Sequence, residues 1–342
     1  MTDADDQSWD EDESVLTFLD CPESPEADVD VAILSLPYEL TTSYGQGTAD
    51  GPAACIQASS QVELYDSDLG EDLPAGLSFH TAPAWSPEKG SLMGQLDEMV
   101  EYLLPWFEGD CFPLVLGGEH GILPPIVKAL ASHQLVQGDL SKVTIVHIDA
   151  HADLRSELGG EKWSHACAAS RALDLGIGRL MQVGIRAYSK EEAELIGNDE
   201  RISTWFARDV MSPSNGSEAW RNWLEALRNL EGPVHLTFDI DGLDGSLVPA
   251  TGTPVPGGLS FHHAVETIQA VFSAENACVI SADVNEISEQ KDSPLTQFTS
   301  AMIATKILAS HVLARKNGQW RRSGSAKSAQ RDTGKCYFFQ EM

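Results

Sequence analysis

The residues best equipped for chemistry stand at the ends of three apolar stretches. Val143-Thr144-Ile145-Val146-His147-Ile148 runs into Asp149, His151 and Asp153. Val234-His235-Leu236-Thr237-Phe238 runs into Asp239 and Asp241, and Pro113-Leu114-Val115-Leu116-Gly117-Gly118-Glu119 runs into His120. On an extended chain, residues two apart point to one face, so Asp149, His151 and Asp153 converge, as do Asp239 and Asp241. Four carboxylates and two imidazoles gathered in one place resist burial unless a counter-charge joins them. Bound divalent cations remove the conflict. Six such ligands exceed what one ion usually takes from protein and suit two metals sharing bridging carboxylates. Oxygen and imidazole donors without thiolate favour Mn²⁺-type ions over a structural zinc, with Ni²⁺, Co²⁺ or Zn²⁺ as alternatives.

These residues need a scaffold that brings strand ends together. Short β-branched runs alternate along the chain with segments of helical period. The alternation predicts an α/β fold: a single three-layer α/β/α domain with a mainly parallel central sheet. Strands are expected over 29–36, 114–116, 143–148, 180–186, 234–241 and 277–284. Helices are expected over 52–59, 92–107, 123–132, 164–176, 191–196, 217–230, 260–272 and 298–313, with Ser260 as an N-cap. Residues 70–90 read as loop with an edge strand. All the reactive candidates follow the C-terminal ends of strands, where open α/β sheets bind ligands.

Composition sets the outer limits. Of 342 residues, 42% are hydrophobic, ample for a core. The net charge of −30, from 52 acids and 22 bases, argues against nucleic acid or anionic membrane as a partner; it reads first as a solubility or high-salt adaptation of the surface, and it would also attract a cationic substrate. No apolar run has the length of a membrane span, and Met1-Thr2-Asp3-Ala4-Asp5-Asp6 is unlike a basic signal-peptide start, so the expected location is the cytoplasm. The expected division is an acidic, flexible or loosely docked tail over 1–28, a catalytic domain over 29–314 and a basic C-terminal tail over 315–342.

Gly117-Gly118-Glu119-His120, Asp149-Ala150-His151-Ala152-Asp153 and Phe238-Asp239-Ile240-Asp241-Gly242-Leu243-Asp244, in this order, resemble the ureohydrolases, the family of arginase, agmatinase and their relatives. Thr251-Gly252-Thr253-Pro254-Val255-Pro256-Gly257-Gly258-Leu259 and Gly45-Gln46-Gly47-Thr48 followed by Gly51-Pro52 extend the resemblance, which runs from about residue 31 to about residue 313. It implies an arginase-like fold and hydrolysis of a guanidino group to urea and an amine. By resemblance, one metal takes His120, Asp149, Asp153 and Asp239. The other takes Asp149, His151, Asp239 and Asp241, so that Asp149 and Asp239 bridge and Asp149 counts among the catalytic residues. Glu286 matches the family's acceptor of guanidinium N–H groups, and His165 its proton shuttle to the leaving amine. The resemblance also implies a homo-oligomer, a trimer or a hexamer. Three positions depart from the family pattern: Glu119 for Asp, Gly121 for Ser and Gly245 for Pro.

The expected substrate is an amine-ended guanidine: agmatine, giving putrescine, or N1-aminopropylagmatine, giving spermidine. Arg155-Ser156 and Ser189 replace residues that arginases use to hold arginine's own charges. The acids of Pro37-Tyr38-Glu39 and of Val62-Glu63-Leu64-Tyr65-Asp66 are expected to meet the distal ammonium. Arg155, as a substrate-binding candidate, keeps an acid such as guanidinobutyrate open. Arginine, formiminoglutamate, guanidine itself and a metal-containing binding protein without catalysis are the other readings. His147 and His235 are expected to satisfy hydrogen bonds in the core, and His262 and His263 to be surface residues.

Overall fold

The computed structural model describes residues 16–26, 29–289 and 293–320. Among them, ten strands follow in chain order: β1 (Val31–Leu36), β2 (Tyr65–Asp66), β3 (Glu71–Asp72), β4 (Phe79–Thr81), β5 (Phe112–Gly117), β6 (Thr144–Ile148), β7 (Arg179–Ile185), β8 (Ile202–Phe206), β9 (Glu231–Asp239) and β10 (Asn276–Asn285). Short β2 and β3 pair antiparallel with each other. The other eight form one sheet in the order β4-β1-β5-β10-β9-β6-β7-β8, with every pairing parallel. Nine α-helices complete the described fold: α1 (Gly51–Ser59), α2 (Leu92–Phe107), α3 (Leu123–Leu130), α4 (Ala168–Asp174), α5 (Lys190–Asn198), α6 (Ala207–Val210), α7 (Gly216–Arg228), α8 (Phe261–Phe272) and α9 (Leu295–Lys316).

Period-two alternation divides the core. In β1, Val31 and Ile33 join one apolar cluster while Ala32, Leu34 and Leu36 join the other. The first cluster is covered by residues of α1, α7, α8 and α9, the second by residues of α2, α3 and α4. Both faces of the sheet are therefore sealed, as a parallel sheet requires. Local signals set the helix starts. Ser91 accepts from the Gly94 amide at the head of α2, and Ser260 from the His263 amide at the head of α8. His263 closes that capping box and stands edge-on to Trp220, so it is a half-buried cap rather than a free surface residue.

Several expectations are corrected. Residues 16–26 are docked: Phe18 and Leu19 are buried, and the Leu19 amide donates to Ser59 Oγ at 2.8 Å. Two apolar side chains anchor a segment whose composition otherwise reads as acidic tail. At the other end α9 continues to Lys316; Arg315 pairs with Asp30 at 2.8 Å and Lys316 with Glu71, so both belong to the folded domain. Strand β8 was not expected. It forms the far edge of the sheet, and four of its five residues are only partly buried, which leaves a weak apolar signal. The expectations for 1–15, 27–28 and 321–342 concern residues outside the described ones.

Candidate active site

The four central strands β5, β10, β9 and β6 are neighbours, and their register levels their C-terminal ends. Asn285 lies opposite Asp239, and Phe238 opposite Ile148. Glu286, Asp239 and Asp149 thus leave the sheet side by side, with Glu119 and His120 just after β5. Gly118 is required there because a Cβ would collide with the Tyr38 carbonyl. Asp153 and Glu286 both adopt the left-handed backbone region, at φ 53° and 59°. Such backbone is strained for residues with a side chain and is held by the surroundings. The Asp153 carbonyl accepts from the Ser170 amide at 3.0 Å, and the Glu286 amide donates to the Gly118 carbonyl at 2.8 Å.

The six expected ligands converge. His120 Nδ1 lies 3.2 Å from Asp149 Oδ2, 3.0 Å from Asp153 Oδ2 and 3.6 Å from Asp239 Oδ2. His151 Nδ1 lies 3.4 Å from Asp149 Oδ1 and 3.1 Å from Asp241 Oδ2. Asp149 is shared between the two imidazoles and is fully buried. Asp239 stands beside the cluster, its Oδ1 accepting from the Asp241 amide at 2.8 Å. Asp241 Oδ1 in turn accepts from the Ala150 amide at 3.0 Å.

Proton accounting shows what the cluster is shaped to hold. Thr237 Oγ1 donates to Asp283 Oδ1 at 2.9 Å, so towards His120 Nε2, also 2.9 Å away, it can only accept. In a neutral His120 the proton therefore sits on Nε2, and Nδ1 presents a lone pair to three carboxylates. A lone pair facing anions is repulsive unless a cation lies between them. The donor set fits divalent metals on these grounds. Without them, the acids recruit protons instead. Burial alone would lower His151, but Asp241 and Asp149 outweigh it and push its pKa up to about 12. Burial, then Asp241 and Asp149, raise Asp239 well above the usual carboxylate range.

One cavity of about 250 Å³ opens above the cluster, lined among others by His120, His151, Asp153, Arg155, His165, Asp239, Asp241 and Glu286. Asp149 lies beneath it. Glu286 Oε1 accepts from the His120 amide at 2.8 Å. Burial, with Glu119 and Asp241 nearby, pushes the Glu286 pKa up to about 8. Burial lowers His165. Arg155 is partly exposed, with Nε 3.8 Å from Glu192 Oε2.

The structure separates three expected acids from the site. Glu39 Oε2 accepts from the amides of Gly47 and Ala49 and from Thr48 Oγ1, all at the 3₁₀ turn Thr48–Asp50. Asp66 pairs with Lys306 at 2.5 Å. Glu63 is exposed, and none of the three lines the cavity. Ser189 caps α5 with Glu192 and also lies outside the lining.

Other residues matter that sequence reasoning did not assign. Gln182 Nε2 donates to His147 Nδ1 at 2.9 Å, which leaves His147 Nε2–H to donate to Asp149 Oδ2 at 2.7 Å. His147 does make core hydrogen bonds, as expected, but its partner is a site carboxylate. Its position two residues before Asp149 on one strand face was the available signal. Arg186 donates to five backbone carbonyls, those of Gly184, Asp241, Gly242, Leu243 and Val255. It ties the loop after Asp241 to the 251–259 loop. Asp244 adds to this by accepting from the Gly257 and Gly258 amides, so the loop carrying Gly245 is pinned from both sides. The Gly45 amide donates to the Gly252 carbonyl at 3.0 Å, joining two distant motifs at the cavity rim.

Comparison with known proteins gives a consistent result. The model of the arginase family matches residues 29–313. The chain is 35% identical over 287 residues to the N(1)-aminopropylagmatine ureohydrolase of Synechocystis sp., covering 82% of this chain and 89% of the relative. It is 33% identical over 264 residues to the agmatinase of Bacillus cereus, covering 77% and 84%. Among solved structures it superposes on the agmatine ureohydrolase of Thermoplasma volcanium with a TM-score of 0.74 at 26% identity, covering 89% of this chain and 97% of that one.

Proposed function

The chain belongs to the arginase family and is a ureohydrolase, and on that premise we propose that it cleaves an amine-ended guanidine, agmatine or its aminopropyl derivative, using two Mn²⁺ ions. The observation that carries this is the pair of imidazole nitrogens aimed into four converging carboxylates at the C-terminal ends of β5, β9 and β6. His120, Asp149, Asp153 and Asp239 would hold one cation, and Asp149, His151, Asp239 and Asp241 the other. When bound, the metals would supply the acidity that activates a water as nucleophile near neutral pH.

The chain's own residues do the rest. Glu286 faces the cavity and accepts guanidinium N–H groups, a planar fork-to-carboxylate pairing that is strong where water is excluded. Its neighbour Gly252 leaves Oε2 open, since a Cβ there would stand 3.2 Å away. His165 delivers a proton to the departing amine through a ring nitrogen. The amine end of the substrate then reaches the outer cavity, lined by Tyr44, Leu158, Tyr188 and Glu192. Tyrosine faces attract an ammonium. Glu192 lies close to Arg155 and offsets the charge that would favour a substrate carboxylate. The two relatives named for aminopropylagmatine and agmatine support the same substrate class.

The proposal places the enzyme in the cytoplasm as a homo-oligomer, its amine product feeding polyamine formation. No helix among the described residues is long and apolar enough to cross a membrane. The test is urea release after Mn²⁺ loading from agmatine, aminopropylagmatine, arginine and guanidinobutyrate. The highest kcat/KM should belong to agmatine or its derivative. Guanidinobutyrate as the best substrate would overturn the amine reading and turn attention to Arg155.

A further inference from the structure

Thr41 lies in the loop after β1 and touches two residues far away in sequence. Its Oγ1 is 2.6 Å from Glu119 Oε1, 2.9 Å from the His165 amide nitrogen and 3.2 Å from His165 Nδ1. Glu119 is fully buried, and its Oε2 accepts from the Leu40 and Thr41 amides at 3.1 and 2.7 Å. Three donors converge on one carboxylate, an arrangement that holds it as an acceptor. The single Thr41 hydroxyl proton therefore goes to Glu119. Both lone pairs of that hydroxyl remain for His165, one for the amide and one for Nδ1–H. This closes only when the neutral imidazole carries its proton on Nδ1, leaving Nε2 as the basic nitrogen. Ser164 Oγ, at 3.4 Å from Nδ1, is too distant to compete.

The departure at position 121 belongs to the same device. A Cβ on Gly121 would stand 2.9 Å from Glu119 Oε1 and 3.0 Å from the ring of Tyr38. Oε1 is the oxygen that holds Thr41, so any side chain at 121 pushes on it. An aspartate at 119 would be one methylene shorter and would leave room there.

We propose that Thr41 and Glu119 are positioning residues that fix the orientation and tautomer of His165, and that Gly121 is the space the longer acid at 119 requires. The proposal rests on His165 as the proton shuttle of the preceding section. It makes positions 119 and 121 a coupled pair and gives Thr41, which does not line the cavity, a role in the reaction without contact with substrate.

The experiment is a double-mutant cycle on the Mn²⁺-loaded full chain with agmatine as the probe. Thr41→Val should lower kcat by about 10–10²-fold with KM and metal content unchanged, the size of loss that small misplacements of a catalytic group produce. Thr41→Ser should restore most of it. In a His165→Ala background Thr41→Val should cost nothing further; a full additional loss there would overturn the proposal. Gly121→Ala should lower kcat in the native background and far less in a Glu119→Asp background, and additive losses would refute the coupling. A crystal structure of Thr41→Val gives a readout free of activity. The His165 ring should leave its present position, and an unmoved ring would sink the proposal even if the chain hydrolysed no guanidine. Wild-type enzyme without urea release from any substrate would instead count against the functional reading.

Discussion

Thr237→Val is the sharpest probe of how the cluster is prepared for metal. Valine keeps the shape of threonine and replaces the hydroxyl with a methyl group. Asp283 tolerates the loss, because His235 Nε2 and Asn285 Nδ2 stay at 2.8 and 2.6 Å from its oxygens. His120 does not, because its buried Nε2–H, now 2.9 Å from Thr237 Oγ1, loses its acceptor. An orphaned buried donor costs about 1–3 kcal/mol. The ring can escape that cost by moving its proton to Nδ1, the nitrogen that must stay bare to bind metal. Partners that orient a ligand in this way typically contribute about 10–100-fold to metal affinity, or roughly 1.4–2.8 kcal/mol. Calorimetric titration of Mn²⁺ into chelated protein should show that loss for Thr237→Val and close to native affinity for Thr237→Ser. Melting of the metal-free forms separates the affinity change from general destabilisation. If Thr237→Val binds Mn²⁺ as tightly as the native chain, the tautomer argument for His120 is wrong.

Other perturbations address the remaining parts of the site. Asp149→Asn should lose metal and activity together, since Asp149 lies between both imidazoles; full activity after exhaustive chelation would contradict this. His165→Ala should lower turnover by about 10²–10⁴-fold at unchanged metal content, and an unaltered pH–rate profile would remove it from proton transfer. The part of the metal-free protein's stability that Glu286 contributes should fall as pH rises between 4.5 and 8, against the opposite trend of buried His133 and His311, whose pKa values burial lowers to about 4 and about 3. Burial lifts Glu286 from 4.5 to about 8, so the folded state holds that proton more tightly than the unfolded state and loses the advantage across this interval. Loss of the His151 proton, held by Asp241 and Asp149, works in the same direction above its ordinary value of 6.5. Chelated Glu286→Gln, which keeps a neutral side chain at every pH, should lose the part of the fall that Glu286 contributes, and a pH profile of melting identical to that of the chelated native chain would refute the argument. Light scattering across a salt series should reveal a trimer or hexamer, favoured by salt because the chain carries a net charge of −30; monomer throughout would exclude it.

Near neighbours in sequence already announced much of this protein. The apolar run of β1, the apolar spacing of α2 over Leu92–Phe107 and the cap at Ser260 all depend on residues within a few positions of one another. So does the run Asp149, His151, Asp153, whose spacing sets three ligands on one side of an extended segment. The tertiary structure decided what lies across the sheet. The level ends of β5, β10, β9 and β6 bring Glu286 within 2.8 Å of the His120 amide, across 166 residues of chain. Thr41 reaches Glu119 and His165 by the same kind of long-range closure. Composition could not tell that Glu39 and Asp66 turn towards backbone amides and Lys306 rather than towards substrate. An acid's role depends on which donors the fold places beside it. Those donors are set by strand register and loop path, quantities that no local window of sequence contains.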